Sequence, residues 1–169
     1  MSVMMRDIKM VDSRLLCEYI FERGGEMSHL KLQKLLYYVQ ALHLAYFESP
    51  IIEDDFEAWL HGPVCRKIYD QLKAKSILHT EMFYVQLDGE DKPSDVLPKR
   101  LTKDQLDLVN EVIDEYAKLS STQLESLTHS ESPWLDARKG YAPGDRCEKI
   151  ISKDSMKSYY KNAIYGSKD

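Results

Sequence analysis

Apolar side chains recur every three or four residues along most of this chain, a spacing that predicts helices. Leu15, Leu16, Tyr19 and Ile20 form one such stripe in a first helix over about 12–23. Asp12 is placed to cap its start, and Gly24-Gly25 to stop it. Ser28 then caps a longer helix over 28–47. Leu32, Leu35, Leu36, Val39, Leu42 and Tyr46 keep its period, while Leu30, Tyr37, Ala41, Leu44 and Ala45 carry the apolar surface round most of its girth. A helix that is apolar on several sides needs neighbours on several sides, so this one is expected to be the spine of the fold.

The pattern changes after the spine. Residues 48–55 are acidic and predict a loop, and 56–60 a short extended segment. His61-Gly62-Pro63 predicts a turn, with Pro63 at the first position of a third helix over about 64–75. Residues 82–87 alternate and are β-branched or aromatic, which predicts a strand that would pair with 56–60. Residues 88–100 are polar and proline-bearing, and a mobile loop is expected there. Thr102 and Gln105 form a capping box with Leu101 and Leu106 as a hydrophobic staple. Leu106, Val109, Val112, Ile113 and Tyr116 give that helix its buried face. Shorter helices are expected over 121–127 and from Ser132-Pro133 to Arg138, and Ser152 caps a last one to about Ala163. The fold class is mainly α: a single compact helical domain over 1–169 around a long central helix, with a small two- or three-stranded β element at one side.

Composition narrows the function. A chain of 169 residues with 43% hydrophobic and 30% charged side chains is too apolar to stay disordered. Its net charge of −5 argues against indiscriminate nucleic-acid binding, which needs a basic surface to displace counterions. Cys17, Cys65 and Cys147 are odd in number, far apart and without a CxxC pair, which points to a reducing cytoplasm and not to a disulfide framework. The first ten residues lack the apolar run of a signal peptide. Lys31, Gln33, Lys34, Gln40 and His43 interrupt the most apolar stretch, so no membrane span is expected.

Candidate chemistry is sparse. Among His29, His43, His61, His79 and His129, only His61 has a cysteine nearby, four residues on at Cys65. Gly62-Pro63 breaks the helix that would align them, and no second pair at zinc spacing follows. No metal and no cofactor are expected. Thr128-His129-Ser130-Glu131 holds nucleophile, base and carboxylate types, but catalytic triads assemble through the fold and not through adjacency. His129 at a helix end, bonding free carbonyls, is the simpler reading. Glu53, Asp54, Asp55 and Glu57 suit a solvated loop better than a cation site.

Charge is unevenly divided. Residues 101–136 carry eight acidic side chains against two basic ones, and residues 146–169 six basic against three acidic. Lys153, Lys157 and Lys161 recur every fourth residue and line one helix face near Tyr159, Tyr160 and Tyr165. Such a row is either a solvated face or a surface for an acidic partner or phosphates. Tyr37, Tyr38, Trp59 and Trp134 are large amphipathic groups that suit an interface and a core equally.

Three patches belong together. Residues 30–38 (LKLQKLLYY), 57–64 (EAWLHGPV, with Tyr69 following) and 127–138 (LTHSESPWLDAR) resemble, in order and spacing over about 12–140, the motifs of the Panacea antitoxin domain family. Its members are also known as SocA-like antitoxins or phage-associated GepA-like proteins. The motif positions are Gln33, Lys34, Leu35, Tyr37, Tyr38, Trp59, His61, Gly62, Pro63, Thr128, His129, Pro133, Trp134 and Arg138. The resemblance implies a mainly helical antitoxin of a bacterial or prophage type II toxin–antitoxin system. Such a protein binds a cognate toxin encoded nearby and has no catalytic residues to transfer. One branch of the family delivers its toxin to a cellular protease instead. Some relatives carry an added DNA-binding domain, for which 169 residues leave no length. The lysine-rich helix over about 152–163 lies outside the three patches. Two other readings stand beside this one: a nucleic-acid-binding regulator using Lys153, Lys157 and Lys161, and an enzyme using His61 or His129. His129 and Trp134 are expected to be architectural, with Trp134 packing its turn against the spine.

Overall fold

The computed structural model describes residues 8–73, 81–85 and 89–166. Helix α1 (Ser13–Gly24) starts where the Asp12 carboxylate accepts from the Arg14 and Leu15 N–H groups, and ends at Gly25 with φ 88°. Helix α2 (His29–Phe47) is the spine. The Ser28 hydroxyl accepts from the Lys31 N–H at its start, and 15 of its 19 residues are buried, which only a helix covered on several sides can achieve. Helices α1, α5 (Lys103–Tyr116), α6 (Ser121–His129) and α8 (Lys153–Tyr165) all pack on it.

Strand β2 (Phe56–Trp59) is central in a three-stranded antiparallel sheet, between β3 (Gly62–Val64) and β5 (Ile150–Ile151). The short β1 (Met27–Ser28) pairs with β4 (Glu81–Met82), Met27 standing opposite Met82. Three expectations change here. The strand near residue 82 pairs with the start of the spine and not with 56–60, and residues 86–87 lie outside the described residues. Pro63 does not open a helix. It stands in β3 opposite Ala58, on an edge strand where its missing N–H does least harm. Helix α3 (Arg66–Leu72) begins only after Cys65, and residues 74–75 are outside the described set.

The stretch expected as a loop contains α4 (Pro93–Arg100). Pro93 occupies its first turn, where a proline is tolerated. Leu97 is fully buried, and the Glu22 carboxylate of α1 accepts from the Ser94 N–H and hydroxyl at 2.9 and 2.6 Å. The Thr102–Gln105 capping box forms as expected, and a second one, Ser120 with Gln123, opens α6. Helix α7 (Ser132–Ala137) follows. The acidic 48–55 segment is a loop with buried apolar contents. The Gln40 side chain bonds the Ile51 and Ile52 N–H groups and the Ile52 carbonyl, tucking both isoleucines into the core. Among the described residues no helix is long and apolar enough to cross a membrane.

Candidate functional site

The β2–β3 hairpin sits over the first turns of α2 and is held there by polar side chains with little or no exposure. Gln33 grips the main chain at the hairpin's exit: its Oε1 accepts from the Cys65 N–H at 2.8 Å, and its Nε2 donates to His29 Nε2 at 3.0 Å. Next to it, the Lys34 ammonium reaches, among the described residues, only the Leu30 carbonyl of its own helix, at 3.3 Å. Lys34 is 1% exposed, and burial pushes its amine down to about 8, against a smaller upward pull from Glu125. Gly62 closes over this lysine with φ 123°. A Cβ there would lie 3.2 Å from Lys34 Cε and 3.3 Å from Thr128 Oγ1, so both conformation and space call for glycine.

Helices α6 and α7 bring the third patch to the same place. Trp134 Nε1 donates to the Trp59 carbonyl at 2.8 Å, and its ring stacks on His129 with centroids 3.9 Å apart. Arg138 lies over the other part of this stack, 5.0 Å from the Trp134 centroid, and donates to the Ala58 carbonyl at 2.8 Å. Its second nitrogen reaches the Asp145 carbonyl, so a buried cation is answered by main-chain oxygen. The Thr128 hydroxyl donates to the Glu125 carbonyl at 3.0 Å, which turns its proton away from His129. The main chain of Leu60, in the hairpin turn, bonds the His129 ring, where a carbonyl near the end of α6 was expected. His129 Nε2 is buried with no partner among the described residues, and burial holds the ring below its usual pKa. His61, at the turn, is half exposed and pairs with Glu125 at 3.3 Å. Trp134 is thus tied to the hairpin, where the sequence pointed to the spine.

A second cluster locks the spine to α8. The Glu131 carboxylate accepts from Tyr38 at 2.6 Å and from Tyr160 at 2.7 Å, and Tyr37 and Tyr160 hydroxyls meet at 3.1 Å. Burial raises the Glu131 pKa, against the two tyrosine hydroxyls that pull it down. Tyr38 also stacks on Tyr116, with centroids 4.5 Å apart and planes 4° from parallel.

The outer face of the hairpin is open. Trp59 donates to Glu57 at 2.9 Å, lies under Arg66 at 5.0 Å and meets the Tyr69 ring edge-on. Trp59, Arg66 and Tyr69 line a cleft of about 420 Å³ together with Leu60, Arg146 and Glu148.

The fold therefore gathers Gln33, Lys34, Trp59, His61, Thr128, His129, Trp134 and Arg138 around one hairpin, and places Tyr37 and Tyr38 on the adjoining Glu131 cluster. The lysine row lies apart from both. Lys153 donates to Asp55 at 2.8 Å and to the Glu53 carbonyl at 3.0 Å, and Lys161 pairs with Glu48 at 2.9 Å. His29 and His43 are buried, and burial depresses both rings to about 4. His79 lies outside the described residues. Sequence reasoning missed Glu131 as the acceptor of two tyrosines, and Tyr160 as their partner. The only signal was a glutamate among uncharged neighbours just before Ser132-Pro133.

The family model for the SocA-like antitoxin Panacea domain matches residues 32–135. Antitoxin SocA from Caulobacter vibrioides is 25% identical over 158 residues, a span of 86% of this chain and 83% of that protein. No solved structure matches the chain.

Proposed function

Because the chain belongs to the SocA-like Panacea antitoxin family, we propose that it works in the cytoplasm as an antitoxin that neutralises a toxin encoded beside it by binding that toxin directly. One observation carries the reading from family to mechanism. Three motif side chains make their hydrogen bonds inward: Gln33 accepts from the Cys65 N–H, Trp134 donates to the Trp59 carbonyl and Arg138 to the Ala58 carbonyl. Groups engaged in this way hold a surface in shape and are not free to turn over a substrate. Thr128 donating to a carbonyl, away from His129, supports a binding role over a nucleophile–base pair. The lysine row offers little to phosphates, since Lys153 and Lys161 are already answered by carboxylates.

Co-expression with the adjacent small reading frame tests this proposal. Growth should be rescued and the two proteins should co-purify; a toxic neighbour that this chain neither binds nor silences removes the reading. Delivery to a cellular protease would begin from the same complex. A toxin level that falls on antitoxin expression marks delivery, and a constant level marks neutralisation by binding alone.

A further inference from the structure

Gln33, Lys34, Thr128, Trp134 and Arg138 of the family patches are buried, while Trp59 and His61 reach the surface at the hairpin, so much of the surface open to a partner is made of other residues. The described surface has a groove made of helices. Its floor is the far end of α2, where the stripe Tyr38, Leu42, Tyr46 becomes progressively uncovered: Tyr38 is buried, Leu42 partly so, and Tyr46 is 50% exposed. Val112 and Tyr116 of α5 form one wall and Ile164 of α8 the other, enclosing about 260 Å³. The exposed ring of Tyr165 leans edge-on toward Tyr46, with centroids 6.2 Å apart. Two half-exposed tyrosines beside aliphatic groups form the kind of surface that anchors a partner.

Charge says which partner. Glu111 and Glu115 stand on the α5 wall. Glu111 has no ion-pair partner among the described residues, and Glu115 only a solvent-exposed Lys118 at 3.3 Å. The lysines of α8 do not answer them. Lys153 and Lys161 are held by Asp55 and Glu48, in the loop that follows α2, and Lys157 adds its charge at the same Glu48. The wall is therefore acidic, its glutamates paired with no lysine of α8 among the described residues, and it attracts a cation.

We propose that this groove is where the toxin docks, through a cationic amphipathic helix. The apolar stripe of that helix covers Tyr46 and Ile164, and its lysines or arginines meet Glu111 and Glu115. A helix fits because both walls and the floor are helices and the lining residues belong to α2, α5 and α8, not to a strand. The proposal rests on the antitoxin reading for the identity of the partner, and on the groove alone for its chemistry.

Two measurements separate those supports. Titration of the full chain with a leucine–lysine amphipathic helical peptide of about 18 residues probes the groove directly. Binding should weaken by about tenfold or more in Tyr46→Ala and in Glu111→Lys, and with a peptide whose lysines are glutamates. Asp136→Lys on α7, outside the groove, should leave it unchanged, and all three variants should melt like the wild type. Affinity indifferent to Tyr46 and Glu111 overturns the proposal. The same holds for a wild-type dimer that Tyr46→Ala dissociates, since the occupant would then be a second copy. In the growth assay both groove variants should lose protection. Undiminished protection overturns the groove and leaves the antitoxin reading intact. If the wild type fails to protect while peptide binding still depends on Tyr46 and Glu111, the antitoxin reading falls and the cationic-helix site stands.

Discussion

The hairpin junction and the α8 junction both place basic side chains of helices against a loop or turn, but they neutralise charge in opposite ways. Under the hairpin, Lys34 and Arg138 are nearly out of solvent, and main-chain carbonyls answer them. Along α8, Lys153 and Lys161 stay partly in water, and carboxylates answer them. A buried cation without a counter-charge is tolerated only where geometry supplies its acceptors, so the first junction admits one arrangement. An exposed ion pair tolerates many arrangements and contributes little. Most of the motif side chains lie at the first junction and the lysine row at the second, while Tyr37 and Tyr38 stand on the Glu131 cluster between spine and α8. The first is the keystone of the fold, and the ion pairs of the lysine row are a loose clasp beside the buried Glu131 cluster.

The largest test of that contrast is Trp134→Ala. It empties a buried ring site, removes the stacking partner of His129 and leaves the Trp59 carbonyl without its donor. The expected loss is about 3–5 kcal/mol, or roughly 6–20 °C in melting temperature for a chain of this size. A fall under about 2 °C would deny the hairpin its keystone role.

Lys34→Met sharpens the comparison through pH. Below pH 8 the Lys34 amine is protonated in the folded and the unfolded chain alike, and folding carries the full cost of burying it. Between about 8 and its ordinary 10.5, the folded chain gives up the proton first, so stability rises with pH by about 3 kcal/mol at most. Methionine, of similar shape and uncharged, should be at least as stable at pH 7 and should lack that rise. Denaturant midpoints at pH 7 and pH 10 measure it, and parallel profiles for the two proteins would mean the lysine is better solvated than its burial implies. Gln33→Ala comes next in size. It strands the Cys65 N–H, at a cost of about 1–3 kcal/mol read from the same midpoints.

How much of this was legible follows from how local each signal is. Asp12, Ser28, Thr102 and Ser152 announce their helices because a cap acts within three residues, and all four cap as expected. The Ser120–Gln123 box carried the same signal and went unused. Pro63 misled because proline suits a helix start and an edge strand equally; the deciding facts, β2 alongside and Gln33 gripping Cys65, come from 30 residues away in sequence or from pairing. Helix α4 hid behind its prolines, since what fixes it is Glu22 on α1. Most side chains of the patches gather around the hairpin, but their directions could not be read from the sequence. The groove on α2, α5 and α8 was not legible at all, because three helices far apart in sequence compose it.

The smallest expected effect belongs to the clasp. Lys153 holds Asp55 at 2.8 Å with side chains 29% and 50% exposed, and Lys153→Ala should cost about 0.2–1 kcal/mol. That cost should shrink in high salt, because the pair lies where mobile ions reach it. Lys161 meets Glu48 in the same way, and the salt bridge lowers the Glu48 pKa, so its replacement should let that carboxyl return toward its ordinary value. Stability alone would then classify the row as a solvated face. Binding can contradict it: reversal of Lys153, Lys157 and Lys161 to Glu leaves the hairpin and the α5 wall untouched. Protection that survives the reversal keeps the partner off the lysine row, as docking in the groove requires. Protection lost with the melting temperature unchanged moves the toxin onto the outer face of α8, and makes the clasp the functional surface that its weak ion pairs leave free to exchange partners.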